Sequence, residues 1–164
     1  MEHALRQALA HQRLSVHYQP QVDLATGCIV GAEVLLRWTD PQWGKVSPGV
    51  FIPLAEETGY IVTLGAWVLE QSVAQAARWA QAGLAVMVSV NISALEMRQP
   101  DFIDRLTKLL QDYRLPPHLL ELELTNRFCC RMRRKRPKGW KRWLRWVWPW
   151  PLMILEPATP AWLT

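Results

Sequence analysis

The sequence predicts an α/β fold built around a parallel sheet with helices outside. From Leu84 onward, strand-like and helix-like stretches alternate in βαβ order. Polar side chains also collect where the strands end, at Arg37, Asn91 and Glu123 to Thr125. Chemistry sits at those ends in α/β barrels. A chain of 164 residues, half of them hydrophobic, is long enough for one domain with a core of its own.

Met1 to Gln12 holds good helix formers with Leu5, Ala8 and Leu9 on one side, a short helix. Leu14 to Leu24 alternates as a strand, and Pro20 within it predicts a bulge or strand end. Asp23 to Gly27 is a turn, and Cys28 to Trp38 a second strand. Thr39 to Pro48 reads as loop, with Pro, Gly and Asp as breakers. Ser47-Pro48 then opens a helix, the serine as cap and the proline in the first turn, and Gly59 stops it after Glu57.

Thr63 to Gln81 is the longest helical pattern, with Trp67, Val68, Val73, Ala74, Ala77 and Trp79 at helical spacings, and Gly83 ends it. Leu84 to Ile92 is a nearly continuous apolar strand closing on Asn91 and Ser93. Asp101 to Tyr113 is a helix that Pro116-Pro117 cannot continue, and Leu119 to Leu124 is a last strand alternating Leu with Glu121 and Glu123.

The second strand carries the most informative residues. In Glu33-Val34-Leu35-Leu36-Arg37-Trp38, Glu33, Leu35 and Arg37 share one face and Val34, Leu36 and Trp38 the other. A carboxylate and a guanidinium on a buried strand are costly unless they meet a metal, an anion or each other. An ion pair between Glu33 and Arg37 is the plain alternative to a functional site.

Glu33, Asn91 and Glu123 lie on three strands that can be neighbours in one sheet. Two carboxylates and an amide oxygen are hard ligands suited to Mg²⁺ or Mn²⁺. By spacing alone, Asn91 could instead cap the segment after it, and Glu121 or Glu123 could pair with arginines.

Bulk properties narrow the remaining classes. No apolar run is long enough to span a bilayer, and Met1 to Ala10 does not resemble a signal peptide, so the cytoplasm is the expected compartment. Cys28, Cys129 and Cys130 form no zinc spacing and no even disulfide set. Residues 1–126 carry 9 Lys and Arg against 13 Asp and Glu, a net −4. Residues 127–164 carry 10 against 1, a net +9, so the overall +5 belongs to the tail.

Tyr18-Gln19-Pro20 and Glu33-Val34-Leu35-Leu36-Arg37-Trp38 resemble the opening of an EAL domain, the bacterial cyclic di-GMP phosphodiesterase family. Pro48 with Phe51-Ile52-Pro53-Leu54-Ala55-Glu56, then Val90-Asn91-Ile92-Ser93, then Glu121-Leu122-Glu123-Leu124-Thr125, continue the resemblance in order over roughly residues 13–125. The signature reads Glu-Val-Leu here where the family has Glu-Ala-Leu, which is expected to add volume beside the site.

The resemblance implies a (β/α)8 TIM-like barrel, of which residues 1–125 are the N-terminal half. It also implies two divalent metals, Mg²⁺ or Mn²⁺, that support hydrolysis of cyclic di-GMP to the linear dinucleotide. Glu33, Asn91 and Glu123 then correspond to metal ligands, Arg37 to a phosphate contact and Gln19 to a nucleotide contact. No residue is assigned a catalytic role. The family's paired aspartates, later lysine and closing glutamate and glutamine have no counterpart, so the chain is expected to be an inactive fragment that binds cyclic di-GMP weakly, if at all. A degenerate cyclic di-GMP binding module is the alternative.

Asn126 to Trp150 contains ten basic residues, no acid and repeated tryptophan. That composition suits a nucleic acid or an anionic membrane. Its apolar residues keep no period, however, and Pro137 and Pro149 interrupt it. An out-of-frame translation fits residues 126–164 better, and with it neither a nucleic-acid partner nor a membrane segment is expected. Met153-Ile154 forces GAT, an aspartate codon, in the alternative frame, where Leu152 to Thr164 can read Asp-Asp-Phe-Gly-Thr-Gly-Tyr, the missing family motif. One base restored within the Thr125 codon similarly permits Thr-Glu-Ser-Val-Leu-Leu-Gln-Asp.

Overall fold

The computed structural model describes residues 1–124. The expectations for residues 125–164 lie outside the described residues. The elements in chain order are α1 (Glu2–Ala10), β1 (Leu14–Val22), β2 (Ile29–Asp40), β3 (Gly44–Val46), α2 (Pro48–Glu57) and α3 (Ile61–Gln81). They continue with β4 (Met87–Ile92), α4 (Ala94–Met97), α5 (Phe102–Asp112), a 3₁₀ turn (Pro117–Leu119) and β5 (Leu120–Leu124).

The sheet runs β1-β2-β4-β5, with β3 paired to the far end of β2. β1 and β2 are antiparallel, while β2–β4 and β4–β5 are parallel. Two consecutive βαβ units therefore stand behind a hairpin. The first, β2 to β4 through α2 and α3, begins well before Leu84, where the alternation became visible in sequence.

Local chemistry explains most boundaries. Asp23 closes the hairpin by accepting the backbone N–H groups of Ala25 and Thr26, and Gly27 supplies the positive φ of +69° that the turn requires. Ser47 caps α2 by accepting from Gly49 N–H, with Pro48 in the first turn as the sequence indicates. Glycine follows α3 as well, at Gly83 with φ +84°.

Three expectations need correction. The bulge expected at Pro20 is displaced by one residue: Pro20 pairs in register with Ala32, the irregularity lies between Gln21 and Val22, and β1 ends at Val22. β1 is an edge strand among the described residues, where a missing N–H is tolerated. Thr39 to Pro48 is not all loop, because Gly44–Val46 folds back against Trp38–Asp40. The segment after Ile92 holds the short helix α4, capped by Ser93 rather than Asn91: Ser93 Oγ accepts from Glu96 N–H, and Glu96 Oε2 accepts from Ser93 N–H.

Alternation along the strands separates two faces. Val34, Val88, Val90, Ile92 and Leu120 point to the helices and join Val68, Leu69, Val73, Ala77, Phe102 and Leu110 in one buried core. A second core joins Leu5 and Ala8 of α1 to Leu14, Trp38, Phe51, Ala55 and Leu64, with Trp38 edge-on to Phe51. Val34, the residue that departs from the family signature, is therefore buried in the helix-facing core. It also lines a cavity that holds Arg37 and Asn91, so its extra volume lies beside the candidate site, as expected.

Candidate functional site

The other face of the sheet carries the polar residues. The pairing register sets Gln19 opposite Glu33, Glu33 opposite Ser89, and Ser89 opposite Glu121. Two residues further along, Asn91 lies opposite Glu123. Because side chains repeat every second residue, all six share one face. Sequence patterning had placed Glu33, Asn91 and Glu123 on separate strands. The two parallel ladders make those strands neighbours.

Asn91 Nδ2 donates to Glu33 Oε1 at 3.1 Å, tying β4 to β2. Burial first, then the negative charges of Glu121 and Glu33, push the Glu123 carboxyl above its ordinary range. The three candidate ligands thus include two carboxylates, on β2 and β5, that repel each other across β4, the strand that carries the Asn91 amide. Hard oxygen donors under mutual repulsion fit a divalent cation, whose charge would relieve that repulsion. Among the described residues, no three Asp, Glu, His or Cys side chains form a metal-binding group, so the set depends on the amide oxygen of Asn91.

Arg37 lies on the same strand face, beyond Leu35. Its Nη1 donates to the Leu36 carbonyl at 3.0 Å. Among the described residues there is no Glu33–Arg37 ion pair: Glu33 accepts from Asn91, and Arg37 uses the backbone. The plain alternative for the opening strand is corrected accordingly. Arg37 and Asn91 both line a cavity of about 210 Å³ at the strand ends, closed by Pro48 and Ile52 of α2 and by Gly65 of α3. The lining also includes Glu56 and Glu96, so this largely apolar cavity carries charges of both signs beside the Arg37 guanidinium.

Gln19 is exposed on β1, with its Cα paired to that of Glu33. Neither glutamate of β5 has an arginine partner among the described residues. Glu121 instead accepts a hydrogen bond from Ser89 Oγ at 2.5 Å, and both side chains are buried. Sequence reasoning missed this pair. The available signal was a serine in an apolar strand, at the alternate position before Asn91.

The EAL-domain family model matches residues 2–145. A bifunctional diguanylate cyclase/cyclic di-GMP phosphodiesterase of Pseudomonas aeruginosa, MucR, is 44% identical over 124 residues, covering 75% of this chain and 18% of that protein. A cyclic di-GMP phosphodiesterase of the same organism is 42% identical over 108 residues, covering 66% of this chain and 18% of that protein. The solved MucR phosphodiesterase in complex with c-di-GMP superposes with a TM-score of 0.71 at 43% identity, covering 74% of this chain and 49% of that one. The chain thus spans less than a fifth of those two curated relatives and about half of that solved chain. With the family model matching most of its length and the solved relative superposing on it, this chain belongs to the EAL-domain family.

Proposed function

We propose that residues 1–124 form the cation- and nucleotide-binding half of a cyclic di-GMP phosphodiesterase site, and that this 164-residue polypeptide binds without turning over. The observation that carries the reading is the Asn91–Glu33 hydrogen bond within the register that aligns Asn91 with Glu123. It gathers two carboxylates and an amide from three strands onto one sheet face.

In this reading Glu33, Asn91 and Glu123 hold a divalent cation, Mg²⁺ or Mn²⁺. When bound, the cation supplies Lewis-acid charge against a phosphodiester. Arg37 swings from the Leu36 carbonyl to a phosphate oxygen, exchanging a neutral acceptor for a charged one. Gln19 offers an amide to the nucleotide from the neighbouring strand. The largely apolar cavity beside Arg37, lined by Ile52 and Val68, faces the less polar part of the nucleotide.

The residues present support the reading without turnover. The chain contains no aspartate after Asp112, and residues 127–164 hold one acid, Glu156. Two-metal hydrolysis needs a clamp on both the attacking and leaving oxygens, and Glu33, Asn91 and Glu123 supply ligands on one side only. In the same reading, residues 126–164 are an out-of-frame translation of the segment that would carry the other ligands.

Incubation of the purified 164-residue chain with cyclic di-GMP and Mg²⁺ or Mn²⁺, followed by chromatography, tests this. The expected result is intact cyclic dinucleotide. Linear dinucleotide that is lost in Glu33→Gln would overturn the claim of no turnover. Calorimetry is expected to show weak, metal-assisted binding that Arg37→Ala abolishes. Tight binding unaffected by Arg37→Ala would contradict the assigned contacts.

A further inference from the structure

Glu121 is a buried carboxylate, 8% exposed, on β5, the last strand of the sheet among the described residues. Its hydrogen-bond partner is Ser89, a neutral hydroxyl that is fully buried beside it. Among the described residues, no lysine or arginine forms an ion pair with it. A buried carboxylate held only by a neutral donor is costly, and an apolar pair at the same depth would stabilise the sheet more. That cost makes sense where the charge serves a nearby ligand.

The register shows which ligand site is near. Ser89 pairs with Glu33 on one side and with Glu121 on the other. Glu121 stands two residues before Glu123 on β5, so the two side chains share one face. The Ser89–Glu121 bond also crosses the β4–β5 ladder immediately before the Asn91–Glu123 pair. It joins the two strands one step ahead of the candidate ligands.

We propose that Glu121, held by Ser89, is a positioning residue of the divalent-cation site: its charge adds to those of Glu33 and Glu123, and its bond fixes the spacing of Asn91 and Glu123. This inference rests on the cation-binding reading above. Glu121 touches no ligand itself. It acts through the field and through the strand pairing, as outer partners of metal ligands do.

Two readouts on the full 164-residue chain separate this from a merely structural role: Mn²⁺ affinity, from the free-ion paramagnetic signal, and thermal stability without metal. Glu121→Gln keeps an oxygen for Ser89 and removes the charge. It is expected to weaken Mn²⁺ binding about tenfold while the metal-free melting temperature stays level or rises. Ser89→Ala leaves the carboxylate buried without its donor, so both affinity and melting temperature fall. Unchanged affinity in Glu121→Gln overturns the proposal, and so does a loss of affinity accompanied by a lower melting temperature. Glu123→Gln serves as the control: if it abolishes Mn²⁺ binding while Glu121→Gln does not alter it, the positioning role alone fails. If the wild type does not bind Mn²⁺, or Glu123→Gln binds it equally well, the cation reading fails and this inference with it.

Discussion

Asn91 and Glu33 lie 58 residues apart in sequence, yet the amide of one donates to the carboxylate of the other at 3.1 Å. The bond does more than join two strands. Asn91 Nδ2 is turned toward Glu33, and the register sets the same residue opposite Glu123. An aspartate at this position would lose the donor and place a third carboxylate among charges that already repel. The amide is thus the residue type that can bridge the acids and still present an oxygen.

Glu96 has a separate, testable energetic role. It is 3% exposed, and among the described residues its Oε1 has no hydrogen-bond partner while Oε2 serves the cap at Ser93. Burial chiefly, and the nearby Glu56 charge, raise its carboxyl above the usual range, against the Ser93 hydrogen bonds and Arg105, which lower it. A raised folded-state value means a contribution that is fully present below the unfolded value of about 4.3 and lost as pH rises through the folded value. Glu96→Gln keeps the capping oxygen and is expected to stabilise the fold by about 1 kcal/mol near neutral pH, with no gain at acid pH. Urea melts at both pH values measure this, and an equal effect at both would contradict it.

Gly65 is the surface against which that carboxylate rests. A Cβ at Gly65 would overlap the Glu96 carboxylate, so α3 and α4 meet only because the position is glycine. Gly65→Ala is expected to cost about 1–3 kcal/mol by overpacking. Adding Glu96→Ala should recover part of that loss, because the clash is specific to the pair. Strict additivity of the two substitutions in a double-mutant cycle would show that no such contact exists.

What was legible in the sequence was local chemistry. Ser47-Pro48 and Gly59 bound α2, and Gly83 follows α3, as their residue types require. Gly44-Lys45-Val46 was not legible, because three residues with one apolar side chain show no period, and their pairing to Trp38–Asp40 is a tertiary fact. The helix α4 was legible in principle, since Ser93-x-x-Glu96 is a capping box, but four residues carry no helical period. Strict alternation also implied that Val34 faces away from Glu33, and its burial among the helices bears this out. The candidate ligands could be nominated one strand at a time. Their meeting required the parallel order β2-β4-β5, which no local signal encodes.

The proposed frame change is tested directly in the gene. The nucleotides after the Thr125 codon are expected to encode, in the alternative frame, a glutamate and then an aspartate pair followed by Phe-Gly-Thr-Gly. The forced aspartate codon beneath Met153-Ile154 anchors the register. If that frame yields stop codons or no barrel-like βα pattern, residues 126–164 are a genuine basic segment. Salt-sensitive binding to nucleic acid or anionic vesicles, lost on truncation after Thr125, would then be the expected behaviour.

The central claim is that Glu33, Asn91 and Glu123 share one cation. Titration of Mn²⁺ into the 164-residue chain, beside Glu33→Gln and Glu123→Gln, tests it most directly. The account predicts one saturable site in the wild type, weakened at least about tenfold in either variant, with both variants folded by circular dichroism. Mn²⁺ binding that is absent from the wild type, or unchanged in both variants, would contradict it.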